Sequence, residues 1–600
     1  MRMNFFAAFG IAVAISGYSA TAEPKHAIAM YGEPALPPDF VSQPHVNPDA
    51  PKGGSIVQGE VGSFDSLNPH IRKGRVPWQL RFLAYESLLG RSYAEPFTLY
   101  GLLAESVEVP EDRSWVEFTL NPNAEFSDGT PVTVEDVLWS FETLGTVGHP
   151  RYASTWAKVE SSEIVGERTV RFTFNTEDDE LPLIMGLRPI LKKAQWEGKD
   201  FTESGLDDIP ISSSPYVVTD FEPGRFVLLE RNENYWGEDI PFRRGTNNLD
   251  QIRMEFFSDG TAMFEAFKGG ILNTMRETNV QKWETQYDFP AVQSGDIVKS
   301  IIPHQRPSGI IGLAFNTRRP VFEDWRVREA LITAFNFEFI NSTINGDPQP
   351  RITSPFSNSV FSMDPGPATG RVLEILEPLA DDLLPGAIDG YALPVGDGTE
   401  RNRANIRKAL SILDEAGWSI QDGVLRNTDG DAFEFEILLR SGASEPQQIV
   451  DLYASALQRL GINPTITTID SAEYTERTNT FDFDMTWYQR GVPSLSPGNE
   501  QFLYWGSEAA DVEGSRNWAG IQSPAVDAII SQLLVSESTE DYRAAVKALD
   551  RTLISGRYIV PIWHQPIARL AHVKELRYSD TLPMYGDWIG FQPDVWWYEE

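Results

Sequence analysis

A chain of 600 residues, at about 150 per domain, is expected to build three or four domains, and its 41% apolar content excludes a chain disordered by composition. Its net charge of -36 disfavours any partner built on a phosphate backbone; such a charge serves solubility first and attraction of cations second. Cysteine is absent, which excludes disulfides and lipid attachment through a cysteine.

The N-terminus reads as a targeting segment. Arg2 supplies the positive start, Phe5 to Ile15 is an apolar run too short to span a bilayer, and Ala20-Thr21-Ala22 is an A-x-A site. Cleavage after Ala22 would leave Glu23 as the first residue of a chain free in the periplasm, with no lipid anchor. Lys25 to Pro51 is a proline-rich lead-in, and Ser55 to Val61 alternates as a strand. Val76 to Leu89 has helical spacing at Leu80, Leu83, Ala84 and Leu88. Thr133 is an N-cap with Asp136 three residues on, a capping-box pattern that opens a helix burying Val137, Leu138 and Phe141. Strands follow to Phe174, then a helix over Leu183 to Trp196.

Tyr216 to Leu229 reads as a strand pair turning at Pro223-Gly224, Ile252 to Phe257 as a strand, and Thr261 to Lys268 as a helix stopped by Gly269-Gly270. Gln281 to Phe289 is helical, and Ile297 to Ile302 is a strand suited to a hinge crossing. Gly312 to Asn316 is a short apolar strand. Asp324 caps a helix whose Val327, Ala330, Leu331 and Ala334 share one face, with Arg326, Arg328 and Glu329 pointing the other way. Asn336 can cap a second helix through Ile340. Pro365 to Gly398 is loop-rich, and Asn405 to Ala416 is an amphipathic helix. Val424 to Leu439 reads as a hairpin around Thr428-Asp429-Gly430, Pro446 to Leu460 as a helix and Thr465 to Ile469 as a strand. Helices over Ala525 to Val535 and Asp541 to Ile554, then a strand over Tyr558 to Trp563, complete an alternation that points to α/β lobes.

Four stretches carry a resemblance. They are Trp115 to Leu120 with Phe126-Ser127-Asp128-Gly129-Thr130-Pro131; Ser214-Pro215-Tyr216 with Leu229 to Trp236; Phe315-Asn316 through Pro320-Val321-Phe322 and Arg326-Val327-Arg328 to Ala334-Phe335-Asn336; and Ser523-Pro524-Ala525-Val526-Asp527. In this order they resemble the family 5 extracellular solute-binding proteins, receptors that feed ABC importers. The opening Asn47 to Gly54 and the terminal Asp594 to Tyr598 look like the YejA-type branch. The resemblance implies an α/β, type II (cluster C) periplasmic-binding-protein fold, with two lobes and a hinge. It divides the mature chain into lobe I over 23–69, an additional small domain over 70–200, lobe I again over 201–296, lobe II over 297–540, and lobe I over 541–600. It implies a peptide or peptide-like ligand in the inter-lobe cleft, ABC permease subunits with a cytoplasmic ATPase as partners, and a monomer without enzymatic activity. A secreted hydrolase or a periplasmic sensor subunit are the alternatives.

No chemistry-bearing motif competes. The seven histidines show no metal-ligand spacing, no nucleotide or nucleophile signature is present, and no cofactor is expected. Candidate ligand residues cluster where aromatic and arginine side chains adjoin a Pro/Gly/Ser loop: Trp487, Tyr488, Arg490, Gly491, Glu500 and Trp505. The resemblance adds Phe64, Asp65, Asn68 and Asn517 and makes the strand through Phe483 the one an extended peptide would pair with. Asp65 and Asn68 suit turn-capping equally well, and Tyr585, Trp588 and Trp596-Trp597-Tyr598 read as packing. Peptide receptors of the family carry an aspartate for the peptide's ammonium in the loop after that strand. Here Gly491-Val492-Pro493 offers no carboxylate, and the nearest acid downstream is Glu500.

Overall fold

A computed structural model describes residues 23–346, 349–490 and 494–600. The signal segment 1–22 and Gly491 therefore lie outside the described residues. The chain opens with β1 (Ala27–Ala29), β2 (Ser55–Val61), β3 (Leu89–Arg91) and β4 (Thr98–Gly101). Next come β5 (Ala104–Glu108), β6 (Trp115–Leu120), β7 (Val159–Gly166) and β8 (Thr169–Phe174), an antiparallel sheet in the order β5-β6-β8-β7. The helix Val134–Thr146 opens with the expected capping box, Thr133 Oγ1 accepting from Asp136 N (3.2 Å) and Asp136 Oδ2 from Thr133 N (3.0 Å). It buries Val137, Phe141 and Phe172 in the core of this small domain.

β9 (Tyr216–Glu222), β10 (Phe226–Arg231) and β11 (Gln251–Phe257) join β2 in a sheet ordered β2-β11-β10-β9, with β2 parallel to β11. β12 (Thr274–Arg276) and β13 (Ile297–Pro303) flank β21 (Ile567–Val573), which comes from near the C-terminus. The first lobe is thus stitched from distant parts of the chain. The second lobe has β14 (Ile310–Phe315), the hairpin β15 (Ser419–Gln421) and β16 (Val424–Arg426), then β17 (Glu436–Arg440), β18 (Thr465–Ile469), β19 (Met485–Arg490) and β20 (Ile559–Pro561). Five of these strands form one sheet, β18-β17-β19-β14-β20, with an apolar core on each face. Gly312 makes the β14–β20 pairing possible, since a Cβ there would overlap the carbonyl oxygen of Val560.

Several local expectations give way to tertiary packing. The run Val76 to Leu89 holds only one helical turn, Leu80–Leu83, because Leu88 O bonds Leu102 N and Ala104 N and draws the chain into β3. The helix expected over Leu183 to Trp196 is split into Leu181–Gly186 and a 3-10 turn Lys193–Trp196. The hairpin expected around Thr428-Asp429-Gly430 is present but short, Arg426 bridging Ala432 antiparallel and Phe433 N donating to Leu425 O (2.9 Å); Val424–Arg426 also pairs with Ser419–Gln421, and Leu439 lies in the inner strand β17. Arg328 and Glu329 do not face solvent. Arg328 donates to Phe322 O (2.6 Å), Glu323 O (2.8 Å) and Gly556 O (2.9 Å), and Glu329 accepts from Arg557 Nε (3.0 Å) and Tyr391 OH (2.8 Å). Asn336 makes no helix cap; its amide reaches Thr399 O (2.7 Å). The helix Thr539–Ser555 and β20 pack with the sheet of β14 and β19, and β21 pairs with β13.

Candidate ligand cleft

Two crossings join the lobes, 304–309 between β13 and β14 and 562–566 between β20 and β21. They are bonded to each other: His304 N donates to Pro566 O (3.2 Å) and its ring Nε2 lies 2.8 Å from Gln565 O. Burial pulls His304 down to about 4, so the ring is neutral at pH 7. Gln305 N donates to Met584 O (2.9 Å), which brings Tyr585, Asp587 and Trp588 against the hinge.

From the second lobe, residues 494–500 reach across to the first lobe and the small domain. Arg91 Nη1 donates to Ser496 Oγ (2.8 Å), Leu495 N to Tyr585 OH (3.1 Å), and Tyr542 OH to Pro497 O. Asn499 is gripped hardest. Its backbone N and its Nδ2 donate to Glu180 Oε2 (2.8 and 3.0 Å), Nδ2 also donates to Asp178 Oδ1 (3.1 Å), and its Oδ1 accepts from Lys158 Nζ (2.6 Å). Lys158 also pairs with Asp178 (2.7 Å). Gly498 lies so close to Glu180 that any Cβ would overlap its carboxylate. Burial, and then the charge of Glu500, pushes Glu180 up to about 7; burial also raises Glu500, whose carboxylate accepts from Gly498 N (3.1 Å) and Gln501 Nε2 (3.0 Å). An aromatic wall backs this junction, with Tyr31 and Phe97 against Tyr542 (5.4 and 4.7 Å between centroids) and Tyr93 edge-on to Tyr585 (5.4 Å).

Beside the hinge, Arg276 Nε and Nη2 donate to the two oxygens of Asp587 (2.7 Å each). Arg276 keeps 39% of its side chain exposed, yet desolvation is the largest influence on it. Glu60, held by Trp78 Nε1 (3.2 Å) and Gln79, faces Arg276, and burial raises its pKa.

The candidates from sequence divide. Phe64 is core, packed on Phe256 (5.0 Å). Asp65 accepts from Arg75 N in its own turn. Asn68 is 2% exposed, bonded to Ser204 Oγ (2.8 Å) and His70 N (2.9 Å). Asn517 is buried and spends its amide on Gly506 O (2.9 Å), Ile521 O (2.8 Å) and Ile521 N (2.8 Å). Tyr488 and Trp505 are buried beneath the strand with Trp518. Trp487 is half-buried on β19. Arg490 is placed by its backbone register opposite Ile310, its side chain lying outside the described residues. β17 pairs with β19 only at Ile437↔Met485 and Leu438↔Thr486, so past Thr486 that edge of β19 has no strand partner among the described residues. Sequence reasoning missed the cross-domain contact of Glu180 with Asn499 and the hinge-side placement of Tyr585 and Trp588. Only the Pro497-Gly498-Asn499 turn next to Glu500 signalled any of them. Among the described residues no cluster could hold a metal ion and no helix is long and apolar enough to cross a membrane.

Residues 98–511 match the family described as "Bacterial extracellular solute-binding proteins, family 5 Middle". The chain is 41% identical to the "Peptidoglycan-binding protein YepA" of Agrobacterium fabrum, over 96% of each chain. It is 37% identical to the "Probable peptide-binding protein YejA" of the same organism, over 96% of this chain and 94% of that one. The oligopeptide-binding protein AppA of Bacillus subtilis, solved with a nonapeptide, superposes with a TM-score of 0.71 at 18% identity, covering 92% of this chain and 100% of that one.

Proposed function

Because the chain belongs to the family 5 bacterial extracellular solute-binding proteins, we propose that it is the periplasmic receptor of an ABC importer, exported by cleavage after Ala22, which binds a peptide or peptide-like compound between its lobes and delivers it to the permease. The observation that carries the reading is the seating of 494–500 on the small domain across two hinge crossings. Loop and receptor surface come from different domains, and they meet by polar contacts and a small apolar seam, an interface suited to opening and closing. Ligand held between the lobes stabilises the shut form, and the permease recognises that form. The edge of β19 beyond Thr486, which has no strand partner among the described residues although Trp487 O accepts from Tyr474 OH (3.0 Å), suits main-chain pairing with an extended ligand that displaces this contact, with Tyr488 and Trp505 supporting it from below. Such pairing tolerates varied side chains. The names of the two relatives, one a peptidoglycan-binding and one a peptide-binding protein, support the same ligand class.

Native mass spectrometry of protein taken from the periplasm tests this. A retained peptide, or a peptide joined to another moiety, with masses unchanged after prolonged incubation, is the expected result. Steady turnover of a peptide mixture would replace the receptor by a hydrolase.

A further inference from the structure

Arg306 stands on the hinge crossing, and its guanidinium makes no hydrogen bond or ion pair with any described residue. Its Nε is sealed from solvent without an acceptor. The charged and titratable groups that act on it are Asp587, Arg276 and Tyr585, and desolvation outweighs them all. Asp587 is already committed, both its oxygens being taken by Arg276. Glu60 faces Arg276 and is held by Trp78 and Gln79. His304, next to Arg306 in the crossing, is neutral and spends Nε2 on Gln565 O.

Arg306 is half-buried, the only acid acting on it is the already paired Asp587, and a sealed N–H without an acceptor is costly. A sealed donor on the hinge crossing, in a chain of net charge -36, is not explained by the hydrogen bonds around it. Arginine's planar fork suits a carboxylate, with two parallel N–H donors to its two oxygens. We infer that the hinge end of the cleft is an anion subsite, in which Arg306 takes a carboxylate of the ligand, so that the compounds bound are acidic peptides or acidic peptide conjugates. This rests on the peptide reading above and narrows it.

The test uses full-length mature protein and an equimolar set of N-acetylated, C-amidated tripeptides Ala-Xaa-Ala, with Xaa glutamate, glutamine or lysine, together with Ala-Ala-Ala as free acid and as amide. Bound peptides are quantified by mass spectrometry after rapid desalting. The wild type is expected to retain peptides carrying a carboxylate at least about tenfold over their neutral partners. R306Q is expected to bring that ratio to within about twofold, while its Tm without ligand stays within a few degrees, because the Arg306 guanidinium makes no hydrogen bond that the substitution would break. A Tm that falls in R306Q with the acidic preference intact would make Arg306 structural and overturn the inference. Retention of peptides without acidic preference in the wild type would overturn it while leaving the peptide reading standing. Retention of none of them would overturn both.

Discussion

Glu180 and Asn499, 319 residues apart, meet through one carboxylate oxygen that accepts both the backbone N (2.8 Å) and the side-chain Nδ2 (3.0 Å) of the asparagine. One belongs to the small domain and the other to the loop after β19. With Lys158 Nζ on the asparagine's Oδ1 (2.6 Å), this contact ties the loop to the small domain across the proposed cleft.

Asn499→Ala removes one of these two donors and the acceptor of Lys158 Nζ. Hydrogen bonds to charged groups contribute about 1.5–3 kcal/mol, so affinity for the co-purifying ligand should fall about tenfold or more by calorimetry. Each domain keeps its own core, so the Tm without ligand should drop by no more than a few degrees. A large fall in Tm with affinity unchanged would place Asn499 in the folding core and not in closure.

Closure should also depend on pH. Glu180 rises from its ordinary 4.5 to about 7 in this junction, first through burial and then through the Glu500 charge. A raised carboxyl favours the form that holds the proton. The stabilisation is full below its ordinary pKa and is lost as pH climbs through about 7. Ligand affinity should therefore weaken between about pH 5 and about pH 8, and Glu180→Gln should flatten the profile. Asp550 and Asp594, also pushed up by burial, to about 7 and about 6, lower stability over the same range in both proteins; the difference between the two profiles reports Glu180 together with Glu500, whose charge acts on it. Parallel profiles would contradict the assignment.

Gly312→Ala drives a methyl group into the carbonyl of Val560 and should part β20 from β14. Overpacking of this kind costs about 1–3 kcal/mol and more where backbone must move, so urea unfolding should show a marked loss or no folded protein. Gly260→Ala, at an open position in the first turn of a helix, is the control and should be neutral or slightly stabilising.

The ammonium of a peptide should matter little. Glu500, the nearest acid to the position where relatives are expected to carry an aspartate, is occupied with Gly498 N and Gln501 Nε2, and burial raises its pKa. Asp482 and Asp484 are paired with Arg319 (3.2 and 3.0 Å). Acetylating the N-terminus of a bound peptide should change affinity by less than tenfold, about 1.4 kcal/mol. A larger loss that disappears in Glu500→Gln would identify Glu500 as the clamp.

What the sequence revealed follows the range of the interactions. Thr133 with Asp136, and Asp324 with the N–H of Arg326 (2.8 Å), are contacts within one turn, and their residue order is enough to see them. Arg328 looked solvent-facing because its reason for being buried, the carbonyl of Gly556, is 228 residues away. Asn68 and Asn517 have the residue type of ligand contacts, yet both saturate their amides within the fold. Glu180 carried no signal at all, since its meaning comes from a loop in another domain. Family likeness pointed to a strand and a loop; it could not show which side chains were already spent on structure.

Small-angle scattering with and without ligand bears most directly on the account. If 494–500 seats on the small domain when ligand is held between the lobes, addition of the co-purifying compound to stripped protein should reduce the radius of gyration while raising the Tm. A Tm that rises with no compaction would mean that ligand binds a rigid body, and the hinged receptor described here would be wrong.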